Sequence, residues 1–150
     1  MRHTPNPFVF RSPIAIACVL SFAIAFIAGC DSRPPCYPVS GTVIFSEDDS
    51  PAQFGTIEFR SQTEPPAIAR GIIRKDGAFT AKSTDGRAGL IAGKYQMIII
   101  QVIGDPRNGS VVHHHGLEVN KKYNSYKTSD LEIEVTPDGE NKFDLVVDSK

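Results

Sequence analysis

Tryptophan is absent from the 150-residue chain, and only four tyrosines and three cysteines occur. Carbohydrate-binding sheets commonly present Trp and Tyr platforms, so a sugar face here would have to rely on tyrosine alone. No Gly-x-Ser-x-Gly elbow is present, which removes the usual sequence sign of a serine hydrolase. No glycine-rich phosphate loop occurs either. Basic residues are not clustered, and the overall charge is −1; a nucleic-acid footprint needs a basic face, so no nucleic-acid partner is expected. After Cys30 no stretch has a helical period.

The apolar segment near the amino terminus is short. Arg2, His3 and Arg11 make a positive start, and residues 14–28 form a strongly apolar run of 15. As a helix that run would be about 22 Å long at ~1.5 Å per residue, short of a ~30 Å hydrocarbon core. Pro13 stands at its beginning, where a helix tolerates proline. Positive start, short apolar middle and small residues at the end are the three parts of a secretory signal peptide. Without Arg2 and Arg11, the part after Gly29 has 14 basic and 17 acidic residues, a net charge of −3.

The end of that segment is more specific. Ile27-Ala28-Gly29-Cys30 resembles the lipobox of bacterial lipoproteins: a branched apolar residue, two small residues, then cysteine. The resemblance implies a diacylglyceryl thioether on Cys30, cleavage before it and acylation of the new amino group. The protein would then sit in the bacterial cell envelope, lipid-anchored on the periplasmic or outer side of a membrane. A single acyl chain binds a bilayer only marginally, whereas several hold firmly. The other arrangement these residues allow is an uncleaved anchor in which Cys30 has no part. Asp31 resembles a signal for retention in an inner membrane.

Cys18 would leave with the signal peptide, so Cys36 would be the one free thiol of the mature chain. A lone cysteine cannot form an internal disulfide, and Cys36 has no cysteine or histidine nearby at zinc-ligand spacing. Residues 31–37 read as a proline-stiffened tether that reaches about 20 Å at ~3.1 Å per residue. The expected organisation is therefore a signal peptide over residues 1–29, a lipidated cysteine and tether over 30–37, and a folded domain over 38–150.

That domain reads as all-β. Val39, Gly41, Val43 and Phe45 alternate with polar positions, and Ile57 and Phe59 alternate with Glu58 and Arg60. Turn chemistry breaks the pattern every 8–15 residues: Glu47-Asp48-Asp49-Ser50-Pro51, Pro65-Pro66, Lys75-Asp76-Gly77 and Pro137-Asp138-Gly139. Asp-Gly between alternating runs predicts hairpins at residues 75–77 and 137–139. The strand predicted over residues 95–103 is apolar on both faces, which places it centrally and calls for cover over Ile98 and Ile100. Residues 121–130 are polar and predicted to be irregular. The sum is a seven- to eight-stranded antiparallel β-sandwich.

The order of the turns resembles the carboxypeptidase-regulatory-like, transthyretin-like sandwich. Ser40-Gly41-Thr42-Val43, residues 51–57 (PAQFGTI), Asp76-Gly77-Ala78-Phe79 and Ala92-Gly93-Lys94-Tyr95 carry the likeness, and Asn141-Lys142-Phe143-Asp144-Leu145 resembles the closing strand of lipoproteins with such a domain. Ile91-Ala92 stands where that family has Leu-Pro. The hydroxyisourate hydrolases of this fold place a histidine early and end in Tyr-Arg-Gly-Ser. This chain ends in Val147-Asp148-Ser149-Lys150, and no histidine lies between Cys30 and His113, so that activity is not expected.

Few residues could carry chemistry. His113-His114-His115 could offer imidazoles to zinc, nickel or copper. On a strand, though, only His113 and His115 would share a face, and a metal site would need ligands from elsewhere. Tyr123 and Tyr126 are candidate exposed ligand-binding aromatics. Glu132 and Glu134 read as the solvated side of a strand. The expectation is a non-enzymatic interaction or envelope-structural module, with no cofactor and no resident metal. Its partners would be membrane lipid through Cys30 and an envelope protein or polysaccharide. The alternative is an envelope carbohydrate- or metal-binding protein.

Overall fold

The computed structural model describes residues 33–101 and 116–150. Seven strands form among the described residues: β1 (Ser40–Phe45), β2 (Gly55–Ser61), β3 (Ile68–Ile73), β4 (Ala78–Ser83), β5 (Gly93–Ile100), β6 (Glu132–Val135) and β7 (Lys142–Val147). A four-residue 3-10 helix, Lys121–Asn124, is the one helical turn among the described residues. The fold is all-β, as the alternation of apolar and polar residues predicts.

The strands join into one sheet in the order β6-β5-β2-β3-β4-β1-β7, curled nearly into a barrel. The curl has a local cause. The first three residues of β4 pair with β1 and its last three pair with β3, so β4 changes partner along its length and the sheet folds over on itself. Phe45, Phe59, Phe79, Tyr95, Met97 and Val147 fill the space enclosed. The Phe59 and Phe79 rings meet at 5.9 Å between centroids.

The expectation of a purely antiparallel sheet is corrected. β1 and β7 run parallel over six residue pairs, from Ser40–Lys142 to Phe45–Val147, so the sheet is mixed. The hairpin expected at Asp138-Gly139 is corrected with it. β6 pairs with β5 and β7 pairs with β1, at opposite ends of the strand order. The chain therefore crosses the end of the molecule between β6 and β7, and β7 starts at the same pole as β1. Asn141 stabilises the crossing. Its backbone is left-handed (φ 46°), its carbonyl oxygen accepts from Thr136 N–H at 3.0 Å and its amide donates to Thr136 O at 3.0 Å. A side chain thus satisfies the backbone groups that a hairpin partner would have taken. The turn expected at Lys75-Asp76-Gly77 does form. Gly77 N–H donates to Arg74 O, and the Asp76 carboxylate accepts from Ala78 N–H.

β5 lies between β2 and β6, inside the sheet as expected. Tyr95, Met97 and Ile99 face the core. On the other face Ile98 is 7% exposed, but Ile100 is 38% exposed. The cover comes from the polar segment that carries the 3-10 helix, which folds against β5. The Ser129 hydroxyl donates to Met97 O at 2.6 Å, and the Gln96 amide donates to Tyr126 O and Ser129 O. Ile98 is covered, and Ile100 is left partly open. Glu132 and Glu134 are exposed, as their alternation predicts.

A compact unit runs from Pro34 to Lys150. Tyr37 and Leu90 exchange backbone hydrogen bonds at 2.7 and 2.9 Å, and the Arg87 guanidinium donates to Pro34 O at 2.7 Å. Gly89 makes the contact sterically feasible. It holds φ +85°, and a Cβ there would lie 2.0 Å from Tyr37 O. Residues read as free tether are therefore strapped to the loop between β4 and β5.

Candidate functional site

A cleft of about 320 Å³ opens at the pole where this strap enters the fold. Pro66, Ile68 and Leu90 line it with apolar surface, and Pro34, Thr84 and Arg87 lie at its polar side. Its charged lining residues pair with each other: Arg87 Nε donates to Asp85 Oδ2 at 2.7 Å. Backbone and side-chain hydrogen bonds from Arg87 hold the Asp85 carboxyl below the usual carboxylate range. Tyr95 reaches the cleft with its hydroxyl, which donates to Ile91 O at 3.1 Å. Burial, with a smaller contribution from Cys36, pushes that hydroxyl up to about 12. It stays protonated and serves as a fixed donor. Cys36 is a half-buried free thiol.

Both tyrosines named from the sequence are held by the fold. Tyr123, expected to be exposed, is 3% exposed. Its hydroxyl donates to Asp148 Oδ2 and accepts from Asp148 N–H, both at 3.2 Å. Tyr126 is half-buried. Its hydroxyl donates to Glu58 Oε1 at 3.2 Å, and the Arg60 guanidinium lies 5.6 Å from its ring centroid. Burial first, and then the neighbouring Glu58 carboxylate, push the Tyr126 hydroxyl up. Neither ring is an open platform. The tyrosines sit in a segment whose polar composition reads as solvated loop, and packing against the sheet buries Tyr123 and half-buries Tyr126. His113, His115 and Cys30 lie outside the described residues. Among the described residues no group of three or more His, Cys, Asp or Glu side chains is placed to hold a metal ion.

Two polar clusters escape sequence reading. On the outer face of β2 and β3, Arg70 Nε donates to Glu58 Oε2 at 2.7 Å, and Glu58 also accepts from Tyr126. Near the carboxyl end, Asp148 accepts from Lys122 Nζ at 2.6 Å and from the Ser46 hydroxyl at 3.1 Å. No sequence signal marks either cluster, because the partners are far apart in the chain: 68 residues for Tyr126 and Glu58, 102 for Ser46 and Asp148. Each cluster fastens the covering segment or the chain end to the sheet.

Lys122 first, then Ser46, hold the Asp148 carboxyl below its usual range, and the same contact raises Lys122. A depressed folded value stabilises the fold above the ordinary aspartate pKa of about 3.9, and that stability is lost as pH falls through the folded value. Asp148→Asn should therefore show a shallower fall in urea midpoint than the parent chain between about pH 4 and pH 2. Parallel curves for the two proteins would mean that Asp148 has no part in acid unfolding.

No family model matches the chain, and no curated protein matches it. Among solved structures, the 9R-lipoxygenase from Cyanothece PCC8801 is similar at 14% identity and a TM-score of 0.39, over 90% of this chain and 20% of that one. The chain spans about a fifth of that protein's length, and a likeness so distant says nothing about activity.

Proposed function

We propose that the chain is a bacterial lipoprotein: a lipid-anchored, non-enzymatic β-sandwich of the transthyretin-like kind that serves as an interaction or structural module of the cell envelope. The observation that carries this reading is the run from Ile14 to Cys30, a charge-free apolar stretch that ends in Ile27-Ala28-Gly29-Cys30. Small residues let the backbone into a peptidase groove, and the thiol is the nucleophile that takes the diacylglyceryl group. The non-enzymatic part is supported by how the ionisable groups pair. Glu58, Asp85 and Asp148 direct their oxygens at Arg70, Arg87 and Lys122, which satisfies them within the scaffold.

Labelling with radioactive palmitate in a bacterial host tests the anchor. The parent chain should incorporate label, and its amino-terminal peptide should begin at an acylated Cys30. Cys30→Ser should incorporate none and keep residues 1–29. Equal labelling of the two chains, or an unmodified Cys30 in the parent, would overturn the reading.

A further inference from the structure

We propose that the outer edge of β7 pairs antiparallel with β7 of a second copy of this chain, making the domain a two-fold symmetric dimer. The pairing is independent of how Cys30 is modified. β6 and β7 are the two ends of the strand order, and the backbone bonding shows which half of β7 is open. Ser40 N–H donates to Asn141 O, and Ser46 N–H donates to Val147 O. Odd-numbered residues therefore turn their backbone groups to β1, and even-numbered residues turn theirs outward. At the carboxyl end the outward groups are taken. Asp148 O accepts from Asn120 N–H at 3.0 Å, and Lys150 N–H donates to Glu118 O at 2.9 Å. The outward backbone groups of Lys142, Asp144 and Val146 pair with no described residue. Such an edge is a template for one more strand.

The side chains select a second copy as that strand. In an antiparallel ladder about a two-fold axis, outward-bonding residues stand opposite each other. Few registers are then available. Lys142 opposite Lys142, or Asp144 opposite Asp144, sets like charges against each other, which destabilises a ladder. Registers nearer the carboxyl end need the outward groups of Asp148, which Asn120 and Tyr123 hold. Registers nearer the amino end run off the strand at Asn141, whose backbone is left-handed. One register remains, with Lys142 opposite Asp144 of the second copy and Asp144 opposite its Lys142. Both residues are exposed. Asp144 Oδ1 accepts from the Thr42 hydroxyl, which leaves Oδ2 for the lysine.

Each opposed pair in this register exchanges two backbone hydrogen bonds. The axis itself passes between the two copies of Phe143, at a non-hydrogen-bonded position where Cα atoms approach to about 4.5 Å. Phe143 is half-buried at the margin of the core, and an aromatic cross-strand pair stabilises a ladder. β6 offers no such match. It is four residues long with Glu132 and Glu134 exposed, so pairing with its own copy would set glutamate against glutamate. The charges on β7 discourage an arbitrary strand and fit this one.

Sedimentation velocity of the full chain in detergent tests the dimer. The parent chain should dimerise with rising concentration. Lys142→Glu sets glutamate against Asp144 twice, and Asp144→Lys sets lysine against lysine twice. Each should weaken the dimer by about tenfold or more. An equimolar mixture of the two variants should restore it, because every opposed pair is then an acid with a lysine. Added salt should weaken the parent dimer and strengthen that of Lys142→Glu, since it screens attraction in one and repulsion in the other. Far-UV circular dichroism reports whether each variant folds. If Asp144→Lys does not fold for want of the Thr42 bond, the loss and the opposite salt response of Lys142→Glu decide the matter. A parent chain that stays monomeric up to about 0.1 mM overturns the proposal. So does a dimer that Lys142→Glu leaves unchanged, which would be held by another surface, or a mixture of folded variants that fails to pair.

Discussion

Replacing Gly41 with alanine is expected to destabilise the domain by about 4 kcal/mol or more, the range reserved for severe steric or packing defects. Gly41 lies in the middle of β1, paired with Phe79 of β4 on one side and Phe143 of β7 on the other. A Cβ built there would lie 1.9 Å from Phe143 O and 2.8 Å from Phe79 Cζ. The ring could shift. The carbonyl belongs to the backbone of the parallel partner strand and cannot move without opening the β1–β7 ladder. A domain of this size has about 5–15 kcal/mol of stability in all, so the substitution would leave much of the population unfolded at 37 °C. Urea unfolding followed by far-UV circular dichroism is the measurement. A midpoint equal to that of the parent chain would show that the two strands do not approach this closely.

Phe79→Ala is expected to cost about 3–5 kcal/mol, as for other buried aromatic truncations. Phe79 is 1% exposed and sits in the half of β4 that pairs with β1, while its ring meets Phe59 on β2. It therefore packs one part of the curled sheet against the other, and its loss leaves a cavity at the join. The two substitutions share a neighbourhood, which allows a sharper test. Truncating Phe79 relieves the 2.8 Å contact at Gly41 and leaves the 1.9 Å contact with the Phe143 carbonyl. The double variant should be less stable than either single one. A double variant more stable than Gly41→Ala would mean that the ring, not the carbonyl, excludes a side chain at position 41.

Much of the fold is legible in the sequence because strand alternation is a local property. Val39, Val43, Phe45, Ile57 and Phe59 are inward in the structure, as period-two spacing demands. The two-sided apolar character of β5 likewise leads to a place inside the sheet, one strand in from the β6 edge. The Asp-Gly pairs are less informative. At Asp76-Gly77 the dipeptide joins two strands that pair, and at Asp138-Gly139 it joins two strands that do not. A turn sequence specifies that the chain reverses. Whether the flanking strands then bond to each other depends on which other edges are open, and β1 offered one to β7.

The candidate sites were less legible. Tyr123 and Tyr126 read as exposed because their neighbours are polar, yet those polar neighbours pin the segment to β5, with Tyr123 buried and Tyr126 half-buried. Arg87 has no distinguishing context in sequence. Its importance comes from the Pro34 carbonyl 53 residues away.

By itself the sequence determined the all-β class, the inward set of side chains and the motif from which lipidation is proposed, since each depends on residues close together in the chain. Only the tertiary structure decided the parallel β1–β7 pairing, the fastening of residues 34–37 to the body and the burial of Tyr123. Those outcomes depend on which distant groups compete for the same backbone donors, acceptors and apolar surface. Local pattern carries no record of that competition.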